Sequence, residues 1–235
     1  MNITKRFMDY YQGNNDREQE PPRGGMKRVG YVMINYTGKL VVINLLFILC
    51  CIPVITIPAA LSALNCYVGK IFRVGYGVEL SDFWKEFKCG IRKNVLLGLI
   101  NGLIAFYAYY LLSLANNFTG SGQRDVVTGI GIGVAVIAIL LGSYSFVLTS
   151  MLDLPCRHIL KNAGILMLIE WKISVLLVLE TVFFWGVFLA FVPYSVLPLL
   201  LIGFALQQLI TCAMLCPIVK KRITEPYENR KVRNC

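Results

Sequence analysis

Histidine and acidic residues are scarce in this chain, and their scarcity limits the chemistry that it can support. The 235 residues include one histidine, His158, and 13 aspartates and glutamates. The eight cysteines form no CxxC pair, whereas a structural zinc site needs several such ligands at close spacing. The sequence also has no phosphate-binding loop and no nucleophile elbow. We therefore predict a protein that is not an enzyme and that holds no metal or cofactor.

Long polar segments are also missing, which excludes a soluble domain of useful size. The longest polar stretch is the N-terminal 28 residues, too short to bury a core. Hydrophobic residues make up 57% of the chain and charged residues 15%, and the mean hydropathy is +0.64. This composition is typical of an integral membrane protein. Residues 1–28 lack the apolar core of a cleavable signal peptide, so we expect the first hydrophobic segment to stay as a membrane anchor.

Charge is absent from residues 40–69, a run of thirty residues that contains Pro53 and Pro58. One helix of that length would rise about 45 Å, whereas the hydrocarbon core of a bilayer is about 30 Å thick. Helices tend to stop before a proline and restart with it, because proline lacks the backbone donor and clashes with the preceding turn. The run is therefore either one long kinked span or two short spans joined at 53–57.

The distribution of lysine and arginine separates these two topologies, since cytoplasmic loops of membrane proteins are enriched in both residues. With a turn at 53–57 the chain crosses six times, and 22 of its 23 basic residues lie on one side. With a single crossing the split becomes 15 and 8. We therefore predict six spans with both termini cytoplasmic. The net charge of +10 flanks these spans, so it indicates contact with anionic lipid rather than with nucleic acid.

We predict an all-α integral membrane bundle in the cell membrane, with six transmembrane helices arranged as three antiparallel hairpins. Residues 1–32 form a basic cytoplasmic segment, 33–219 the six-span membrane domain and 220–235 a basic cytoplasmic tail. The expected spans are 33–52, 57–73, 95–115, 126–150, 172–192 and 197–219. Lys39 falls inside the first span, and we expect its side chain to extend to the inner interface.

A cytoplasmic amphipathic segment, 79–94, follows the second predicted span. Apolar residues recur there at helical spacing, charged residues occupy the other positions, and Ser81 is the expected N-cap. Such a helix either lies on the lipid headgroups or binds a partner protein, and its spacing fits both roles. The side chains expected to face lipid or a partner are Phe83, Trp84, Phe87, Lys88 and Lys93.

Glu180 lies near the middle of the fifth predicted span. A carboxylate at that depth is energetically costly and indicates a functional site by default. The outer turn between the fifth and sixth spans centres near Tyr194, so antiparallel pairing places Gln207 and Gln208 at the depth of Glu180. We expect Glu180 to form a hydrogen bond with one of these glutamines. The cluster is either a structural clamp or a site that handles protons or substrate.

Small side chains in the spans indicate helix packing. Gly129 and Gly133 have the four-residue spacing that lets two membrane helices approach closely, which predicts a packing face on the fourth span. Most of the cysteines lie in apolar runs, where a cysteine behaves as a small hydrophobic residue.

Two blocks of the sequence resemble the YesL-like family of bacterial membrane proteins. The first contains Asn44-Leu-Leu-Phe, then the turn residues Pro53, Thr56 and Pro58, then Ala59-Ala60 and Ala63-Leu64. The second contains Asp82-Phe83, Phe87-Lys88 and Lys93-Asn94. Family members often have glycine before the second proline, where this chain has Ile57. The resemblance is most specific between residues 36 and 100.

The resemblance implies a small multi-pass protein of the plasma membrane, of Gram-positive type. The family's biochemical function is not established, but its members are often associated with carbohydrate uptake, commonly beside ATP-driven sugar importers. On this basis we expect a non-enzymatic accessory or regulatory partner of an oligosaccharide importer, bound to its permease or ATPase subunits. Glu180 favours an alternative, a small secondary carrier or permease. A membrane sensor or scaffold is a third alternative, although the polar tails are short for signalling.

Overall fold

The part of the chain that the structure describes is helical. The computed structural model describes residues 25–74, 78–118 and 120–226, and no strand occurs within them. The helices are α1 (Gly25–Cys51), α2 (Ile57–Arg73), α3 (Leu80–Cys89), α4 (Ile91–Ala115), α5 (Ser121–Met151), α6 (Cys156–Ile169), α7 (Trp171–Ala190) and α8 (Val196–Thr224). The all-α fold class predicted from the sequence is confirmed.

Six of these helices are long and apolar enough to cross a membrane, in agreement with the predicted number of spans. They are α1, α2 with the short 3₁₀ turn before it, α4, α5, α7 and α8. Helices α3 and α6 are shorter and follow the second and fourth spans. Consecutive spans run in opposite directions, so α3, α6 and the end of α8 share one end of the bundle. We call this the charged end, because the ion pairs Lys70–Asp82, Lys93–Asp153 and Glu170–Arg222 lie there.

The uncharged run 40–69 forms a helical hairpin, as predicted. Helix α1 ends at Cys51, a 3₁₀ turn covers Val54–Thr56, and α2 has Pro58 in its first turn. Proline is favourable in a first turn, because its missing N–H would have no partner inside the helix. The two helices pack against each other, so the prolines divide the run into two short spans.

Helix α1 kinks near the start of the predicted first span. Tyr36 has non-helical backbone angles (φ −121°, ψ 17°) inside the helix. One turn later, the side chain of Lys39 is 1% exposed, and its Nζ lies 5.4 Å from the centre of the Tyr36 ring. The expectation that Lys39 extends to the interface is therefore wrong. The lysine is on the buried face of α1, where protein covers its ammonium group and the Tyr36 ring offers a cation–π contact.

Two clusters of buried side chains hold the spans together, and α8 contributes to both. The first joins α1, α2 and α3 to α8 around residues such as Leu64 and Leu209. The second joins α4, α5, α6 and α7 to α8 around residues such as Tyr144 and Leu215. Helix α8 packs mainly on α1 and α2, and less extensively on α7. The third predicted hairpin is therefore looser than the other two.

Candidate functional site

A polar cavity lies between α2, α4, α5, α7 and α8, inside the membrane-spanning part of the bundle. Its volume is about 180 Å³, which is room for several water molecules. The polar side chains that line it are Asn65, Asn101, Ser143, Thr181, Gln207, Gln208 and Thr211. Their amides and hydroxyls can donate and accept hydrogen bonds, but they are neutral and transfer no charge by themselves. The cavity is therefore suited to binding a small polar species rather than to chemical catalysis.

Asn101 is the least satisfied member of this cavity. Its Oδ1 atom is buried and has no hydrogen-bond partner in the structure. Gly142 on α5 makes room for the amide, because a Cβ atom at that position would lie 2.6 Å from the Asn101 Nδ2 atom. An unpaired buried acceptor costs about 1–3 kcal/mol unless a water or ligand fills it. Asn101 is thus the strongest indication that the polar cavity takes a guest.

Glu180 does not join the two glutamines. Gln207 and Gln208 line the polar cavity, whereas Glu180 lines a separate groove on the other side of α7. The Oε1 atom of Glu180 is buried without a hydrogen-bond partner, and Oε2 accepts one long hydrogen bond, 3.4 Å, from Thr181 Oγ1. The predicted hydrogen bond to Gln207 or Gln208 is therefore not formed. Thr181 borders the polar cavity and also donates a hydrogen bond to Glu180, so it lies between the two sites.

The register between α7 and α8 explains this difference. At the charged end, Arg222 Nε donates to Glu170 Oε1 at 2.7 Å, which fixes the relative height of the two helices. Counted from that pair, Glu180 is level with the middle of α8 near Cys212, and the glutamines lie more than one turn farther out. Helix α8 also contains a π-helical segment, Leu199–Gly203, which changes the rotation of the residues that follow it.

The groove beside Glu180 is apolar and wide. It has a volume of about 600 Å³ and lies between α7, α8 and the first residues of α1. Its remaining lining residues are Gly25, Met26, Leu176, Leu179, Phe183, Ile210, Ala213 and Met214. Phe183 and Leu179 are largely exposed on the bundle surface, so the groove opens toward the lipid. A carboxyl group in such surroundings has little solvation.

Asn44 is a second polar residue inside a span, and it is fully bonded. Its Nδ2 atom donates to the carbonyls of Leu199 (3.2 Å) and Leu200 (2.7 Å), and its Oδ1 atom accepts from the N–H of Ala205 (2.9 Å). These groups belong to or adjoin the π-helical segment of α8, where the ordinary helical hydrogen-bond pattern is interrupted. Asn44 therefore binds α1 to α8 and satisfies backbone groups that lipid could not.

The predicted turn residues stabilise the first hairpin. Thr56 Oγ1 lies 2.6 Å from the carbonyl oxygens of both Cys50 and Pro53, and its single proton is shared between them. Pro58 packs directly against Gly98 of α4, because a Cβ atom on Gly98 would overlap the Pro58 ring. The turn therefore packs on α4, the helix whose first turn contains Lys93 and Asn94 of the second block.

Helix α3 presents fewer outward residues than the sequence suggested. Phe83 is 0% exposed and belongs to the first core cluster, so the prediction that it faces lipid or a partner is wrong. Phe87 is partly buried against the same cluster, and Lys93 forms an ion pair with Asp153 at 3.6 Å. Trp84 and Lys88 do lie outside, where they border a shallow surface depression.

The N-terminus of α3 differs from the sequence prediction, and its acidic residues lie close to basic ones. Glu79, not Ser81, is the N-cap, and it forms a capping box with Asp82. Asp82 pairs with Lys70 of α2 at 3.2 Å. Burial raises the pKa of Glu86, with a smaller contribution in the same direction from Asp153, while Lys93 and Lys70 act in the opposite direction. A partly buried carboxyl group thus lies among basic residues at the charged end.

The glycine spacing on α5 does not mark an internal helix contact. Gly129 and Gly133 are exposed, and a Cβ atom at either position would meet nothing within 4 Å. The residue between them, Gly131, is the one that packs inward, where a Cβ atom would lie 2.9 Å from Leu112 of α4. The predicted packing face therefore points away from the described bundle.

Sequence reasoning missed Asn101, Gly142 and Thr181 as parts of a site. Each comes from a different span, and each is common in membrane helices, so local spacing gives no signal for their meeting. Asn44 was noted in the sequence pattern, but its partners are more than 150 residues away in the chain.

Comparison with known proteins gives one partial match. Residues 40–111 match the family described as "Protein of unknown function, DUF624", which is the YesL-like family that the sequence motifs resemble. The match includes the first hairpin turn, α3 and most of α4, but less than a third of the 235 residues. No curated protein and no solved structure matches the chain.

Proposed function

We propose that this protein is a non-enzymatic accessory or regulatory subunit of an ATP-driven carbohydrate importer in the cell membrane, and that it binds the importer's permease or ATPase subunits. The choice of an importer rests on the family resemblance. The choice of a binding role over a transport role rests on the unpaired glycine face of α5, the glycine ridge, defined as Gly129 and Gly133.

The glycine ridge is the observation that carries this proposal. Within a bilayer, helices associate mainly by close van der Waals packing, and glycines four residues apart allow backbones to approach. Both glycines are exposed on a span, and the described bundle leaves open space beside them. Val126, Ile130 and Ile137 are exposed on the same helix and would flank a helix packed on the ridge. A transmembrane helix of a partner protein fits this surface.

The two cavities support the same choice. Pockets for drug-sized ligands have volumes of about 300–1,000 Å³ and a few polar groups. The polar cavity, at about 180 Å³, is too small for an oligosaccharide. The groove beside Glu180 is larger, about 600 Å³, but its lining is almost entirely apolar. Neither site suits a sugar chain as cargo, which favours a partner of an importer over an importer.

Affinity purification from native membranes in mild detergent tests this proposal. We expect the wild-type protein to co-purify with permease or ATPase subunits, identified by mass spectrometry. The double variant Gly129→Leu/Gly133→Leu should lose those subunits without losing stability, since nothing in the described bundle lies within 4 Å of a Cβ atom at either position and leucine favours the helix over glycine. Gly186→Leu on α7 is the matched control, because Gly186 is also exposed with no neighbour within 4 Å.

Two results would contradict the proposal. Absence of importer subunits from the wild-type preparation removes the accessory role. Retention of the subunits by the double variant places the contact elsewhere on the protein. A higher-order species that contains only this chain, lost in the double variant, would instead make the glycine ridge a homo-oligomer contact.

A small secondary carrier is the second candidate, and the contact between Thr181 and Glu180 favours it. Thr181 borders the polar cavity, and its Oγ1 donates to Glu180 Oε2. A titratable group therefore lies next to a cavity that is large enough to hold water molecules. Reconstituted protein should then move a small polar solute, and Glu180→Gln should slow that movement without unfolding the protein. Equal transport by the variant would remove the role of Glu180.

We also propose that the charged end faces the cytoplasm. The three ion pairs at that end come from loops and helix ends that carry most of the basic residues. Basic residues near span ends favour the cytoplasmic side. A cysteine placed at Asn14 should react with an impermeant reagent only after the cells are opened. Labelling of intact cells would reverse the orientation.

A further inference from the structure

The groove beside Glu180 combines two properties, an apolar lining and an acidic side chain. It is an apolar space of about 600 Å³ that opens toward the lipid, and its wall includes a carboxyl group. Glu180 Oε1 is shielded from water and has no hydrogen-bond partner, while Oε2 has one long contact to Thr181. Counted from Trp171, Glu180 is about 14 Å into a helix of about 30 Å, so it lies near the middle of the span.

We propose that this groove binds a lipophilic organic cation, with the Glu180 carboxylate as its counter-ion. A carboxylate without a partner in a low-dielectric site is costly, and an opposite charge a few ångströms away is the strongest compensation available. The body of the ligand would be apolar and aromatic, because Leu176, Leu179 and Phe183 on α7 face Ile210 and Met214 on α8 across the groove. Phe183 and Met214 offer polarisable contacts to such a cation.

Other occupants explain the groove less well. A lipid acyl chain would fill the apolar volume but would leave the carboxyl group unsatisfied. An anion would find no positive charge among the described residues that line the groove. A hydrophilic cation would lose its hydration and gain few contacts, because Glu180 is the one titratable residue among the described residues that line the groove. The combination of charge and apolar lining selects a cation with a large apolar body.

Binding is expected to exchange one proton for one cation. An isolated carboxylate in an apolar site is neutralised by a proton when no cation is present. Arrival of the cation then releases that proton to the solvent, and the groove stays electrically neutral. The charged residues on the adjoining elements include Lys27 and Arg28 on α1, Lys172 on α7 and Arg222 on α8, the last of which is paired with Glu170. Arg28 donates to the carbonyl of Arg73 and stacks on Phe72, whereas Lys27 and Lys172 are exposed, the latter beside Trp171, and none of the three lines the groove.

Cation binding and the proposed accessory role depend on different parts of the protein. The groove beside Glu180 lies between α7, α8 and the start of α1, whereas the glycine ridge is on α5. Loss of cation binding would leave the co-purification result unchanged, and loss of co-purification would leave cation binding unchanged.

The test uses the purified full-length protein in nanodiscs of zwitterionic lipid, with tetraphenylphosphonium as the probe. We expect saturable binding by calorimetry, with about one proton released per cation when buffers of different ionisation enthalpy are compared. Glu180→Gln should weaken binding by about tenfold or more, because the amide cannot supply the negative charge. Met214→Trp keeps the carboxyl group but fills the groove, and it should weaken binding as well.

Two comparisons make the result decisive. Gln207→Ala alters the polar cavity on the other side of α7 and should leave tetraphenylphosphonium binding unchanged. Triphenylphosphine oxide, a neutral molecule with similar aryl groups, should fail to displace the cation. Full displacement by the neutral compound, or wild-type affinity in a folded Glu180→Gln variant, would show a plain apolar groove and overturn the proposal.

Discussion

Asn44 in the first span and Glu180 in the fifth are both polar residues placed inside membrane helices, and their surroundings are opposite. Asn44 is 0% exposed and makes three hydrogen bonds to the backbone of α8. Glu180 makes one long hydrogen bond to its own neighbour, and its second oxygen has no partner. The cost of placing a polar group inside a membrane span is thus offset by hydrogen bonds at Asn44, but not at Glu180.

The surrounding helices show the same contrast. In the most apolar stretch of the second span, Val54–Arg73, 61% of the residues are buried, against 11% in the fifth span, Trp171–Ala190. The region around the first hairpin is therefore a packed support, and α7 is a thinly covered element beside two cavities. A satisfied polar group in a packed region stabilises the fold. An unsatisfied one in an open region indicates a site for something that arrives from outside.

The largest expected effect on stability comes from removing the hydrogen bonds of Asn44. Asn44→Leu would remove three hydrogen bonds between α1 and the backbone of α8 in an apolar environment. We expect a loss of roughly 2–4 kcal/mol in the free energy of unfolding. A thiol-reactive dye can follow melting, since Cys66 and Cys212 are buried and free. Asn35→Ala is the control, because Asn35 is exposed on the same helix; equal melting of the two variants would contradict the role of Asn44.

A second test compares two glycines one turn apart on α4. Gly98→Ala places a methyl group against the Pro58 ring, whereas Gly102→Ala meets nothing within 4 Å. Overpacking costs about 1–3 kcal/mol, while alanine in place of an exposed helical glycine stabilises by up to about 1 kcal/mol. The two variants should therefore shift the melting temperature in opposite directions. Identical shifts would show that α4 does not pack on the hairpin turn as described.

A third test removes the carboxyl group of Glu180, which has little hydrogen bonding. Glu180→Leu removes a carboxyl group that has little compensation in the structure, and leucine suits the apolar groove. We expect the melting temperature to rise, by an amount equivalent to about 1 kcal/mol. Destabilisation comparable with that of Asn44→Leu would mean that Glu180 is a structural clamp after all, and the contrast between the two residues would be lost.

The parts of the fold that depend on local sequence were predictable. The turn at Pro53–Pro58 follows from two prolines within one run, and the number of spans follows from apolar length and from the placement of basic residues. The errors have a common cause, which is that a side chain's surroundings depend on how the helices pack. Phe83 is covered where α3 packs back on α2, Lys39 lies on a buried face of α1, and the register that separates Glu180 from the glutamines involves a π-helical segment that apolar sequence does not reveal.

The smallest expected effect concerns Glu86, which lies at the charged end beside the packed region. Burial is the largest cause of its raised pKa, and Lys93 and Lys70 oppose that shift. Between the ordinary glutamate pKa and the raised value, the folded state binds more protons than the unfolded state. The free energy of unfolding therefore decreases as the pH rises through this window, starting at about pH 4.

Glu86→Gln should abolish this decrease, because the amide stays neutral at every pH. At pH 7 we expect the variant to melt about 1–2 °C above the wild type, and below pH 4 the two proteins should coincide. Glu225→Gln, at an exposed site near the end of α8, should follow the wild-type profile. If the Glu86→Gln and wild-type profiles run parallel, then Lys70 and Lys93 compensate the buried carboxylate fully. In that case Glu86 belongs with Asn44 as a satisfied group, and Glu180 alone remains without compensation among the acidic residues compared.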